Sequence, residues 1–551
     1  MFAIAAGALL WRETAFGLLL SIPFIAGLWL VLAGATARPS LASLAAGLLL
    51  GLITAAAWVK QTLLGLPLLA TDVYFLPQLA ANLTILRRYP SIAFVLAVGT
   101  AIALLLLAFA IRMRIDRQRP RSPAAVLLGA ALLMIPILAP TRASADGDPF
   151  AEPMAAWRFL SDPGQTLSRL LRSFRRMGVA VPAPSSDGSG QAAAEFTGAI
   201  PPAPALLPDI VLWHAESTID PRLIAACDAP QCESRVFAPG ADSASAGLLA
   251  THIFGGFSCT SEFAVLTGLD HRTFGPGGIY SHITLAPRVR SSLPRALRAL
   301  GYRTLALYPT EKHFLNAAEA YRHYGFEEFL AASDLGLPPD PWLVTDEMMR
   351  SHLIRLIPPA ARGPRPVFVY VLTQYQHEPH DQPLAALPEP YRSLRFPALA
   401  PAASVSLANY LYRLQLTEAA LDAVAADYLH APGARPTMLV RYGDHQPTLD
   451  GAMPGMAKRG LDSVPGALRD FIASYRIDTN FAPAVRESHA YLDIALLPSL
   501  MLDTAALPGG AYFLASSRLR RLCDGRYLDC PDSSRVARYH DYVFHHLEAI
   551  R

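Results

Sequence analysis

Four stretches near the start of the chain carry no charged side chain: residues 16–36, 41–59, 92–111 and 123–139. The first, FGLLLSIPFIAGLWLVLAGAT, would reach about 31 Å as a helix, enough to cross a bilayer. Such runs predict membrane-spanning helices, because so little polar sequence separates them that they have nothing to bury themselves in. The first ten residues (MFAIAAGALL) are also apolar but too short to cross, so four or five spans are expected. Beyond Pro208 the pattern changes. Short apolar runs at 209–215 (DIVLWHA), 303–308 (RTLALY), 366–373 (PVFVYVLT) and 437–442 (TMLVRY) alternate with helical stretches. That alternation predicts an α/β domain with a largely parallel central sheet.

Charge divides the chain at the same place. Residues 1–145 hold 11 basic and 3 acidic side chains, a net of +8, whereas the rest holds 36 and 41, a net of −5. The overall +3 therefore says nothing about partners and gives no reason to expect nucleic acid. Between two of the apolar runs, Arg112 to Arg121 carries five Arg and one Asp, which places that loop in the cytoplasm. Everything after residue 140 then lies outside. The expected organisation is a transmembrane anchor (1–144), an amphipathic helix and Pro/Ala/Ser-rich linker (145–207), and a periplasmic domain (208–551), in a multi-pass protein of the bacterial inner membrane. In the linker, Leu167, Leu170, Leu171 and Phe174 share one helical face with Arg169, Arg172, Arg175 and Arg176 interleaved. That pattern suits either a helix on an anionic membrane surface or one packed on the next domain. All five cysteines follow residue 226. Cys227 and Cys232, and Cys523 and Cys530, are spaced to close small loops, as disulfides of an oxidising compartment would, and Cys259 is left over; a zinc site is the rival reading, though no His pair sits at ligand spacing near either.

In parallel sheets, functional groups gather beyond the carboxyl ends of the strands. Glu216 follows DIVLWHA, Asp444 and His445 follow TMLVRY, and His377 and His380 follow PVFVYVLT. Three acid or imidazole clusters at three strand ends suggest a metal site. A fourth segment, HIFGGFSCTSEFAVLTGL (252–269), has a Gly pair that permits a sharp turn before a helix beginning at or next to Ser258. The free N–H groups of a helix start favour an anion there, and a metal ion can lower the pKa of a coordinated hydroxyl enough to make it a nucleophile.

These residues resemble the lipoteichoic acid synthase and phosphoglycerol transferase branch of the alkaline phosphatase/sulfatase superfamily. GGFSCTSEFAVLTGL is similar to its nucleophile segment, DIVLWHAES to its first metal strand, GDHQP to its second metal motif and QYQHEPH to its active-site histidine segment. NYLYRLQLTEAAL (409–421) resembles the helix before that second motif, and KQTLLGLPLLATDVYF (60–75) a loop between spans. The resemblance implies a sulfatase-like domain with one divalent ion held by Glu216, Ser258, Asp444 and His445, manganese foremost, with zinc or magnesium as alternatives. It implies that Ser258, where the family more often has Thr, is the covalent nucleophile, and that His377 contacts the phosphate or protonates the leaving group. The reaction implied moves a phosphoglycerol group from a phospholipid, phosphatidylglycerol foremost, to a periplasmic or cell-surface glycan.

Two departures stand out. Cys259 is followed by Thr260, Ser261, Glu262 and Phe263 rather than a sulfatase Cys-x-Pro/Ala-x-Arg run, which disfavours sulfate esters. The family binds glycerol phosphate with a His, a Trp and an Arg, where ALYPTEKHFLNAAEAY (306–321) has Tyr308, Leu315 and Ala317, with Lys312 and His313 nearby. Two alternatives follow: a phosphoethanolamine transferase with the same mechanism, and a catalytically silent membrane-tethered regulator.

Overall fold

The computed structural model describes residues 15–64, 67–78, 120–138, 167–174, 194–359 and 363–551, with positions 6, 10, 97, 99–104, 106–108, 178–179 and 181–184. It divides into two units, Met1–Ala180 with Gly275–Gly277, and Val181–Phe274 with Gly278–Arg551.

The first unit is helical. Helices α1 (Ala15–Thr36) and α2 (Pro39–Leu64) contain the two segments long and apolar enough to cross a membrane, Gly17–Thr36 and Pro39–Lys60. The expected span at 123–139 is a shorter helix, α3 (Pro123–Leu138), of 16 residues. That is about 24 Å, short of a hydrocarbon core of roughly 30 Å. The expected span at 92–111 falls mostly outside the described residues, as does the arginine-rich loop apart from Pro120 and Arg121. Glycine lets α1 and α3 approach closely, since a Cβ on Gly27 would sit 2.7 Å from the Gly129 carbonyl and one on Gly129 2.7 Å from that of Gly27. Helix α4 (Leu167–Ser173) forms where the linker pattern predicts it. Leu167, Leu170 and Leu171 are buried in a cluster with Ile25 and Leu50, so α4 packs on the apolar helices. Arg169, expected on a polar face, is buried too, while Phe174 is half exposed.

The second unit is built on an eight-stranded sheet of order β4-β3-β5-β1-β6-β7-β2-β8. The strands are β1 (Asp209–Ala215), β2 (Ser243–Ala250), β3 (Arg303–Leu307), β4 (Glu328–Leu330), β5 (Val367–Leu372), β6 (Thr437–Gly443), β7 (Ile472–Thr479) and β8 (Leu492–Asp493). All run parallel except β7, which is antiparallel to both β6 and β2. The four apolar runs of the sequence are β1, β3, β5 and β6, each within a residue of its expected end. β1, β5 and β6 are buried at every position, as strands covered on both faces must be.

Around the sheet, helix α5 (Ser258–Thr267) follows β2, α6 (Ala317–Tyr324) follows β3, and α7 (Asp346–Leu356) packs beside the long α8 (Pro401–Ala425). Both expected disulfides, Cys227–Cys232 and Cys523–Cys530, are formed, and Cys259 is free and buried. The Pro/Ala/Ser-rich linker is anchored at its end. Phe196 is fully buried with its ring 5.5 Å from that of Tyr539, and Glu195 pairs with Arg535 and Arg538 at 3.3 and 2.8 Å.

Candidate active site

The register of β1 against β6 pairs Ala215 with Gly443, so the next residues, Glu216 and Asp444, leave adjacent strands side by side. Gly443 is required here because a Cβ would fall 1.8 Å from the Thr218 carbonyl. Backbone groups then orient the two carboxylates. Asp444 Oδ1 accepts from the N–H groups of Ser217 (2.8 Å) and His445 (3.0 Å), which turns Oδ2 away from them. Glu216 Oε1 accepts from Ser217 Oγ at 2.9 Å. His445 Nδ1 lies 2.9 Å from the Gln446 carbonyl, so its Nε2 is the free atom, 3.2 Å from Glu216 Oε1 and 3.4 Å from Asp444 Oδ2.

Ser258 arrives from the opposite side through a strained turn. Gly255 and Gly256 have φ of 68° and 158°, and Phe257 sits in the left-handed region at φ 64°. A bulky residue there costs about 1–3 kcal/mol. The turn makes Ser258 the first residue of α5, and its hydroxyl donates to Glu216 Oε2 at 3.1 Å. One turn later, Ser261 Oγ donates to the Asp444 carbonyl at 2.9 Å, which locks the helix to the β6 loop.

Glu216, Asp444 and His445 are buried, at 1% exposure or less. Burial would raise the Asp444 carboxyl, but the imidazoles of His445 and His214 outweigh it and hold it well below the usual range. Burial likewise opposes a charged His445, yet Asp444 and Glu216 lift it to about 9. Asp444 Oδ2 and His445 Nε2 nevertheless have no hydrogen-bond partner. The carboxylates that favour a proton on His445 would equally favour a divalent cation in its place, with Nε2 then neutral and free to ligate, and oxygen with imidazole ligands suits manganese or zinc. The residues present therefore fit a metal ion.

His377 stands on the loop after β5, half-buried, with Nδ1 2.8 Å from the Glu378 carbonyl and its ring 5.8 Å from that of Trp342. No hydrogen bond or ion pair joins it to Glu216, Asp444 or His445 among the described residues. The loop is held to the segment after β6 and to α8 by groups that the motifs did not reveal. The Glu378 carboxylate accepts from Thr448 Oγ1 and the Leu449 N–H, and Arg413 of α8 donates to the carbonyls of Tyr375, His377 and Pro379. His380 is buried, 3.8 Å from Glu378. Lys312 and His313 are exposed, while Tyr308, Leu315 and Ala317 are buried.

Sequence reasoning also passed over His214 and Glu262. His214 points to the same face of β1 as Glu216, which strict alternation along the strand would have revealed. Glu262 lies one turn below Ser258 and is reached by Tyr321 Oη at 2.5 Å, with His282 Nε2 at 3.4 Å. A second buried group, His252, Asp270 and His271, has the residue types of a metal site. However, Arg272 donates to Asp270 at 2.8 and 2.5 Å and supplies the positive charge, so this cluster is an ion-pair network.

Residues 209–477 match the sulfatase family model. Over those residues the chain forms a sulfatase-like domain, similar to the metal-dependent phosphotransferases and hydrolases of the alkaline phosphatase superfamily. An uncharacterized protein of Haemophilus influenzae is 29% identical over 353 residues, which is 62% of this chain and 62% of that protein's length. Among solved structures, the chain is similar to the membrane protein lipooligosaccharide phosphoethanolamine transferase A of Neisseria meningitidis. That likeness has a TM-score of 0.50 at 10% identity, over 93% of this chain and 98% of that one. It is also similar to the phosphoglycerol transferase GacH of Streptococcus pyogenes, with a TM-score of 0.48 at 17% identity, over 65% and 89% of the two chains. The sulfatase-like domain thus follows apolar helices along the chain.

Proposed function

We propose that this sulfatase-like protein is a membrane-bound, metal-dependent transferase that moves a phosphoglycerol group from a phospholipid to a periplasmic or cell-surface glycan through a covalent intermediate on Ser258. The observation that carries the reading is the Ser258 hydroxyl, presented by a strained turn at the start of α5 and 3.1 Å from Glu216 Oε2, beside the unpartnered Asp444 Oδ2 and His445 Nε2. Glu216, Ser258, Asp444 and His445 would hold the ion, manganese or zinc by their chemistry. Bound there, it would lower the pKa of the serine hydroxyl and neutralise charge on the phosphate.

Ser258 Oγ loses its proton to the adjacent carboxylate and attacks the lipid phosphorus. A new Oγ–P bond forms as the P–O bond to diacylglycerol breaks. His377 supplies the proton that the departing alkoxide takes up. The acceptor hydroxyl then gives a proton to His377 and attacks the same phosphorus, so the Oγ–P bond breaks and Ser258 Oγ takes back its proton from the carboxylate. The apolar unit supports a donor that lies in the bilayer, since one chain carries both it and the nucleophile.

Full-length protein in phosphatidylglycerol vesicles is expected to release diacylglycerol, and Ser258→Ala to release none above background. Release unchanged in Ser258→Ala would refute the covalent step. A chain that binds no divalent ion and releases no diacylglycerol from any phospholipid would support the silent-regulator alternative.

A further inference from the structure

β1 carries one more group into the site. His214 is fully buried, and its Nε2 lies 3.2 Å from Asp444 Oδ2 and 3.8 Å from Glu216 Oε2. Despite that proximity, Nε2 makes no hydrogen bond to either carboxylate, nor does Asp444 Oδ2 to any donor. A nitrogen and an oxygen 3.2 Å apart in this way are spaced as two ligands of one ion are.

The opposite edge of the ring is held. Nδ1 is 2.7 Å from Tyr370 Oη and 3.0 Å from Tyr442 Oη, and the two phenols are 2.8 Å apart. The sheet dictates this triangle: His214 is in register with Tyr442 on β6, and Leu212 with Tyr370 on β5, so all three side chains share one face. A metal-binding imidazole is typically fixed in this way, with its second nitrogen donating to an oxygen.

We propose that His214 Nε2 is a further ligand of the ion held by Glu216, Ser258, Asp444 and His445, with Nδ1–H donating to Tyr370 Oη. The inference rests on the metal-site reading above. It makes the donor set two imidazoles, two carboxylates and a hydroxyl, which moves the preference from manganese toward zinc. The rival arrangement has Nδ1 accepting a phenol proton, so that Nε2 carries hydrogen and cannot ligate.

The test is X-ray absorption at the zinc edge on full-length, zinc-loaded protein, where outer-shell scattering counts imidazoles. Two are expected in the wild type and one in His214→Phe. Zinc affinity should fall at least 100-fold in that variant, beyond the roughly 10–100-fold that outer-shell partners cost, and manganese affinity by less. Should His214→Phe fail to fold, His214→Gln, checked by its melting temperature, gives the same one-imidazole comparison, whereas Tyr370→Phe/Tyr442→Phe should keep two imidazoles and lose only roughly 10–100-fold in affinity. Zinc bound with one imidazole in the wild type overturns the inference alone. No zinc bound in the wild type overturns the metal-site reading itself.

Discussion

Glu262 shows how a single buried acid shapes behaviour around the nucleophile. Burial raises its carboxyl to about 7, only partly offset by His214 and the Tyr321 hydroxyl. A folded-state pKa above that of the unfolded chain gives stability that is complete below about pH 4.5 and lost as pH rises through about 7. The shift corresponds to about 3 kcal/mol. The melting temperature of the full-length protein should therefore fall across that window, and Glu262→Gln should flatten the fall. An unchanged slope in Glu262→Gln would assign the pH dependence elsewhere. At this scale the sequence was partly legible. Glu216, Ser258, Asp444 and His445 declare themselves because each follows a recognisable strand or turn. His214 hides inside an apolar run, and Glu378 and Arg413 act through backbone contacts that no spacing encodes.

At the scale of elements, the site depends on how closely β1 and β6 can leave the sheet together. Gly443→Ala would drive a methyl group into the Thr218 carbonyl, two residues from Glu216. Overpacking of this kind costs about 1–3 kcal/mol, and the strain here would splay Glu216 from Asp444. Metal content per chain and diacylglycerol release should both drop, with a lower melting temperature. Retained metal content would show that the loop absorbs the methyl. The strands that the sequence revealed are those buried on both faces, whose apolar runs are unbroken. β2 (SASAGLLA) and β7 (IASYRIDT) were missed because small and charged residues interrupt them. They carry buried polar groups instead: Asp478 of β7 pairs with Arg441 of β6 at 2.6 Å and with Arg476 at 2.7 Å, and accepts from Ser243 Oγ of β2 at 2.7 Å.

The whole molecule joins an apolar helical unit to a domain built on one mixed sheet. The split in charge between the two was legible from counting alone, whereas the number of spans was not, since α3 is too short to cross by length alone. Phe196 marks where the linker becomes part of the domain. Phe196→Ala should free that segment at a cost of about 3–5 kcal/mol. Limited proteolysis of the full-length protein should then cut near residues 190–200 faster than in the wild type, and equal rates would place the anchoring contact elsewhere. The central claim joins both units, because the donor lies in the bilayer and the nucleophile stands in the domain. It is tested most directly by incubating the full-length protein with phosphatidylglycerol or phosphatidylethanolamine labelled in the head group and locating the label by peptide mass. The account predicts label on Ser258 from phosphatidylglycerol. Label from phosphatidylethanolamine alone would replace the head group and keep the mechanism, and label from neither would contradict the transferase reading.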